Sequence, residues 1–174
     1  MGVSGSGKSS VAQALADHYG FVFLDADDFH SEQARAQMAQ GIALSDAQRL
    51  PWVKRLGEQL HLRADAGNAS VLAFSGLRHE HRMLLRAFGV PMRFIFLHAT
   101  PTVIAARLAT RGGHFMPASL LNSQFEALQP PTDEPDVIAV NVDAPLPAVV
   151  AEAIARLDRD TPFALDCLHP VSNS

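Results

Sequence analysis

A single cysteine, Cys167, in 174 residues can close no internal disulfide and can build no cysteine zinc site. That scarcity fits a reducing compartment, and the cytoplasm is the expected location. Apolar runs of membrane-spanning length are also missing. The longest are broken by Arg93 or Asn141, well short of about 20 residues, and Met1 to Ser10 has no apolar stretch of signal-peptide length. Neither a membrane span nor export by a standard signal is expected. Positive charge is not in excess either, with 14 Lys plus Arg against 18 Asp plus Glu and a formal net charge of −4. Such a balance gives no electrostatic footprint for nucleic acid or an anionic membrane, so any phosphate-binding surface must be local. Internal repeats and a linker between two cores are absent. The length allows one domain with one active centre, and 48% hydrophobic residues are enough to fill its core.

What is present alternates. Short β-type runs occur at Phe21–Leu24, Val71–Phe74, Arg93–Leu97 and Val137–Val142. Between them lie stretches with helical spacing, marked by Val11, Leu15 and Tyr19, by Val53, Leu56 and Leu60, by Val103, Ala106 and Leu108, and by Val149, Ala153 and Leu157. This order predicts an α/β domain with a parallel sheet covered by helices on both faces. The segment from Gln129 to Pro135, with three prolines and two acids, reads as a surface loop, and the tail after about Asp160 as a frayed or docked terminus.

Gly2-Val3-Ser4-Gly5-Ser6-Gly7-Lys8-Ser9 fits the phosphate-loop pattern G-x-x-x-x-G-K-[ST]. Its glycines let successive N–H groups point inward, and the helix that follows directs its positive end at the phosphates. Gly2, Ser4, Gly5, Ser6, Gly7, Lys8, Ser9 and Ser10 are therefore candidates for holding ATP. Lys8 would reach the β- and γ-phosphate oxygens, and the Ser9 hydroxyl would ligate Mg2+. The run Phe21–Leu24 ends in Asp25-Ala26-Asp27-Asp28-Phe29-His30, at the carboxyl end of a strand, where open α/β sheets bind ligands. Alternation sends Asp25 and Asp27 to the same side. Asp25 can then hold Mg2+ and Asp27 can accept a proton from an attacking hydroxyl, while Asp28 is the candidate for a plain helix cap. No guanine-reading N-K-x-D is present, and helicase or transporter ATPases need more chain than this. A kinase for a small hydroxylated metabolite is the expectation.

The residues also point to a family. The phosphate loop, Leu24-Asp25-Ala26-Asp27 with His30, Met38 and Gly41, Asp46, and Arg49-Leu50-Pro51-Trp52 resemble the P-loop gluconokinases. The resemblance continues through Ser75-Gly76-Leu77-Arg78 with Arg82 and Leu85-Arg86, Arg107 and Arg111 with Gly113-His114-Phe115, and Ser123-Gln124-Phe125-Glu126. It implies a fold like the nucleoside monophosphate kinases with a lid, ATP and Mg2+ as cofactors, D-gluconate as acceptor, 6-phosphogluconate as product, and a homodimer. In its terms residues 1–158 form one kinase domain, with a substrate-side helical insertion at about 30–66, a lid at about 111–128 and a tail at 159–174. The chain departs from the family's usual residues at Ala34, Gln37, Ala43, Gln48 and His81. Kinases of similar build for shikimate or a nucleotide, or a nucleotide-binding regulator without catalysis, are the alternatives.

A sugar acid needs a planar cation for its carboxylate and short polar groups for its hydroxyls. Arg49, Arg78 and Arg82 are the candidate cations, the last two spaced to share one helical face. Ser75 either contacts substrate or caps that helix, and His30 either hydrogen-bonds a substrate hydroxyl or only begins a helix. Trp52 is expected to pack the insertion rather than stack on substrate. Arg107 and Arg111, before the Gly112-Gly113 pair, read as lid cations that meet the phosphates on closure, with His114 and Gln124 on the same segment. Adenine should rest near Asn141 to Pro147. His79, His81 and His98 are assigned no chemistry. Finally, the strand that normally leads into a phosphate loop has only Met1 to Val3 here, so the natural start is expected several residues upstream, with an apolar β-run.

Overall fold

The computed structural model describes residues 1–110 and 118–160. Within them the order is α1 (Lys8–Tyr19), β1 (Val22–Asp25), a 3-10 turn (Ala26–Phe29), α2 (Glu32–Ala39), α3 (Asp46–Asp65), β2 (Ser70–Ala73), α4 (His79–Arg86), β3 (Phe94–His98), α5 (Pro101–Thr110), α6 (Ala118–Ala127), β4 (Val137–Asn141) and α7 (Leu146–Asp160). Each strand falls within one or two residues of its β-type run. β1 pairs with β2 and β3 with β4, both in parallel, with Leu24 opposite Leu72 and Phe96 opposite Ala139.

The chain start lies between the two pairs. The Met1 ammonium donates to the Ile95 carbonyl at 2.6 Å, Leu97 N–H donates to the Met1 carbonyl at 2.9 Å, and Gly2 N–H donates to the Ser75 carbonyl at 2.9 Å. These bonds join the segment after β2 to β3 through Met1 and Gly2, and they place the phosphate loop beyond the carboxyl end of β2.

Helices cover both faces, as the alternation predicts. On one face, Val11 and Leu15 of α1, Ile104 of α5, Leu121 of α6, and Val149 and Ala153 of α7 pack on Leu97, Ile138 and Val140. On the other, Trp52, Val53 and Leu56 of α3 and Leu85 of α4 pack on Phe74 and Phe94. Neighbouring β4 residues Val137 and Ile138 join opposite clusters, which is the period of two expected of a strand buried on both sides.

The second face leaves no spare volume at Gly57. A Cβ added there would stand 2.2 Å from the Phe88 ring, a contact that demands movement of a helix or of a partly buried aromatic. Overpacking of this kind costs about 1–3 kcal/mol, against a gain of about 1 kcal/mol in helix propensity. Gly57→Ala should therefore lower the Tm by about 2–4 °C in a thermal melt; a rise would show that Phe88 yields freely.

Candidate active site

The phosphate loop is shaped by backbone that only glycine adopts readily. Gly5 and Gly7 have φ of 83° and 89°, in the left-handed region, and Gly7 stands at the N-cap of α1 with no side-chain cap. The first amides of α1 are thus left open toward the loop. Lys8 Nζ donates to the Val3 carbonyl at 3.0 Å, spanning the loop. Ser6 is buried and its Oγ has no hydrogen-bond partner. Ser4 N–H donates to Gln124 Oε1 at 2.6 Å, so α6 reaches across to the loop. Gln124, expected to meet the substrate, is placed here against the phosphate loop.

Asp25 ends β1 and joins two of the predicted groups. Its Oδ2 accepts from the Ser9 hydroxyl at 2.8 Å and its Oδ1 accepts from Asp27 N–H at 3.0 Å. Asp25, not Asp28, therefore caps the turn that follows. Strand alternation stops at Asp25 because the 3-10 turn begins at Ala26, so the same-side reading of Asp25 and Asp27 does not carry past the strand end. The Asp27 side chain is 86% exposed and its carboxylate lies 3.9 Å from His30 Nε2, too far for a hydrogen bond.

His30 is buried. Its ring stacks on Trp52 with centroids 4.2 Å apart, and Trp52 Nε1–H donates to the Ala26 carbonyl at 2.7 Å. Trp52 thus packs the insertion, as expected, and holds His30 beneath Asp27. Burial pushes the His30 pKa down, Asp27 opposing and Arg49 adding to the effect, so the imidazole is neutral near pH 7.

The cations separate. Arg78 is the N-cap of α4, not a member of its face with Arg82, and its Nε lies 3.0 Å from Asp46 Oδ1 at the start of α3. Burial pushes the Arg49 guanidinium's pKa down, with Asp46 opposing and Arg78 adding to the effect. Asp46 pairs with Arg78, and Arg49, Arg78, Asp46 and Glu80 all act on the same buried region between α3 and α4. His81, buried on α4 with Nε2 unpartnered, is likewise pushed down by burial and then by Arg49. Ser75 caps no helix, since α4 starts at His79; its carbonyl is held by Gly2.

Arg82 corrects the reading of it as a substrate ligand. It is 1% exposed. Nε donates to both Glu134 oxygens at 3.0 and 2.9 Å, Nη1 to the carbonyls of Gly76 at 2.8 Å and Leu77 at 3.3 Å, and Nη2 to the Gln129 carbonyl at 3.2 Å and to Glu134. All five donors of a guanidinium are then used inside the protein. Arg86 adds a second cation to Glu134 and pairs with Asp136, and His79 Nδ1 lies 3.2 Å from Glu134. The proline-bearing segment read as a plain surface loop is therefore tied down by its own acid.

Hydrogen bonds from Arg82, then from Arg86 and His79, hold the Glu134 carboxyl down from 4.5 to about 2, against its desolvation. A carboxylate depressed on folding contributes stability that is complete above its ordinary pKa and is lost as pH falls through the folded value. The contribution is about 3 kcal/mol. Urea unfolding from pH 6 to pH 2 should show a loss for the parent chain across this window that Glu134→Gln lacks; parallel curves would contradict it.

Arg107 Nη2 donates to the carbonyls of Val142 and, at 2.7 Å, Ala144. It braces the loop after β4, where adenine is expected. Arg111 and His114 lie outside the described residues, as do Phe115 and Cys167. Three departures from the family pattern form one network: Gln48 Nε2 donates to Gln37 Oε1 at 2.9 Å, Gln37 Nε2 donates to the Ala43 carbonyl at 3.0 Å, and Gln48 Oε1 accepts from Ser45 N–H at 2.9 Å within a capping box. The amides close the loop between α2 and α3 without charge.

A family model described as "AAA domain" matches residues 1–131. The chain is 40% identical to a probable gluconokinase of Mus musculus over 90% of its own length and 95% of that protein. It is 41% identical to the thermoresistant gluconokinase of Escherichia coli, over 88% of this chain and 89% of that one. Among solved structures, a gluconokinase from Sinorhizobium meliloti matches with a TM-score of 0.85 at 42% identity, covering 91% of this chain and 89% of the other.

Proposed function

This chain belongs to the gluconokinase family of P-loop kinases, and from that premise we propose that it transfers the γ-phosphoryl group of ATP to D-gluconate, giving 6-phospho-D-gluconate. It is a phosphotransferase with an alcohol as acceptor. The observation that carries the reading is the bonded run Ser9, Asp25, Asp27, which ties the phosphate loop to an exposed carboxylate on the acceptor side.

Lys8 binds the β- and γ-phosphate oxygens by turning from the Val3 carbonyl, its present acceptor. The amides at the start of α1 hold the same phosphates. Ser9 Oγ and Asp25 Oδ2, 2.8 Å apart, are hard oxygen donors of the kind Mg2+ takes beside substrate phosphates, and these two residues would hold it. When bound, the ion offsets negative charge on the transferred group. Asp27 orients the acceptor hydroxyl and takes its proton as the bond to phosphorus forms. Arg49 and Arg78, at the facing starts of α3 and α4, bind the acceptor's carboxylate. His30, neutral and fixed on Trp52, and Ser75 meet its hydroxyls. Arg107 supports the adenine loop, and Arg111 and His114 are assigned to the segment over the phosphates.

In this reading residues 1–158 are one kinase domain, the insertion at about 30–66 carries the acceptor wall, the lid spans about 111–128, and 159–174 is a tail. Among the described residues no helix is long and apolar enough to cross a membrane; a cytoplasmic homodimer that binds no nucleic acid completes the proposal. A panel of acceptors with ATP and Mg2+ tests it, with ADP release as the readout. Gluconate should be turned over at least about tenfold faster than shikimate or a nucleoside monophosphate. Turnover of shikimate with none of gluconate would overturn the acceptor, and ATP binding with no transfer to any acceptor would overturn the kinase.

A further inference from the structure

The buried guanidinium of Arg82 has a place in the transfer step although it touches no substrate. Three atoms of Gln129, two residues beyond the end of α6, are held at one point. Its N–H donates to the Leu77 carbonyl at 2.8 Å, its carbonyl accepts from Arg82 Nη2 at 3.2 Å, and its Oε1 accepts from His79 N–H at 2.6 Å. The loop that holds it, Ser75 to His79, is also gripped by Arg82 Nη1 through the Gly76 and Leu77 carbonyls, and its Ser75 carbonyl takes Gly2 N–H of the phosphate loop. From the other side, α6 places Gln124 Oε1 on Ser4 N–H at 2.6 Å. The phosphate loop is therefore held twice, by Gly2 on the Ser75 loop and by Ser4 on α6. Arg82 binds those two supports to each other, beside the Gln129 bonds to Leu77 and His79.

We propose that Arg82 is a positioning residue for phosphoryl transfer: it fixes α6 against the Ser75–His79 loop so that Gln124 closes on Ser4 and holds the phosphate loop in register with Arg78 on the acceptor side. Glu134 makes this possible by neutralising the guanidinium in a place where an unpaired charge could not stay. A lysine keeps the charge but has no planar fork, and cannot reach Glu134, Gly76, Leu77 and Gln129 together. The inference rests on the chain being a kinase, since its consequence is read in the transfer step.

The test is a cycle of Arg82→Lys, Gln124→Ala and the double variant. Each single variant should lower kcat by on the order of tenfold while the Kd for ATP stays within about threefold. The double variant should be little slower than Gln124→Ala alone, because both act through one contact. Multiplying effects would overturn the proposal, as would an unchanged kcat per folded molecule with only the Tm reduced. Should Arg82→Lys fail to fold, Gln129→Ala removes just the acceptor of His79 N–H. It should lower kcat severalfold and raise hydrogen exchange at the Ser4 amide; parental kcat and exchange would overturn the proposal. Exchange at Ser4 is read without any acceptor, so it decides this inference even if the parent chain turns over no gluconate.

Discussion

Lys8→Met should lower kcat by about a thousandfold on every acceptor tested, with circular dichroism and Tm close to those of the parent. The expectation follows from what the ammonium alone supplies. The amides of the loop and of the α1 N-terminus are backbone groups and survive the substitution, so ATP still docks. Charge that builds on the transferred phosphoryl oxygens then loses its one mobile cation from the loop. Loss of a single oriented donor at developing charge costs on the order of a hundred- to a thousandfold, and a donor that carries a full positive charge belongs at the upper end. Lys8 Nζ now bonds the Val3 carbonyl at 3.0 Å, which also accepts from Ser6 N–H at 3.2 Å and so keeps a partner when the ammonium is gone; the Tm is therefore expected to change little. A kcat within tenfold of the parent would remove Lys8 from the transfer step.

Asp27→Asn should lower kcat by at least about a hundredfold and leave the Kd for ATP within about twofold. Asparagine keeps the shape and the backbone bond from Asp27 N–H to Asp25, so the turn and the Ser9 contact stay in place. What it removes is the ability to take a proton. Because the Asp27 side chain is 86% exposed in this structure, no interior network depends on it, and the loss is to be read in kcat with little change in Tm. Kinetics of the variant with gluconate and nucleotide-binding titration check both halves, and an undiminished kcat would remove the base assignment.

The strands were legible because aromatic and β-branched runs are short here, and the phosphate loop because its glycines, lysine and serine stand at fixed spacing directly before a stretch with helical periodicity. Trp52 was legible as packing for the same reason that it is buried: one large ring beside helically spaced Val53 and Leu56 fills the second core. What local pattern could not show was where a long side chain goes when its partner is far along the chain. Arg82 and Glu134 are 52 residues apart, and Glu134 sits among prolines that signal a loop without saying what it touches. The i, i+4 spacing of Arg78 and Arg82 suggested one shared face, but the helix starts one residue later, at His79, so Arg78 turns to Asp46 and Arg82 to the interior. Gln124 was readable as functional and not as a phosphate-loop contact, because nothing local brings α6 within reach of Ser4. Gln37 and Gln48, which read separately as departures, bond to each other and close the insertion, a pairing visible only once α2 and α3 lie side by side.

Formation of 6-phosphogluconate, followed through NADPH from a coupled 6-phosphogluconate dehydrogenase, reads out transfer of phosphate to gluconate itself. The parent chain with ATP, Mg2+ and D-gluconate should give NADPH in step with ADP, and Asp27→Asn should give about a hundredfold less. ADP without NADPH, or no ADP while ATP still binds, would contradict that transfer.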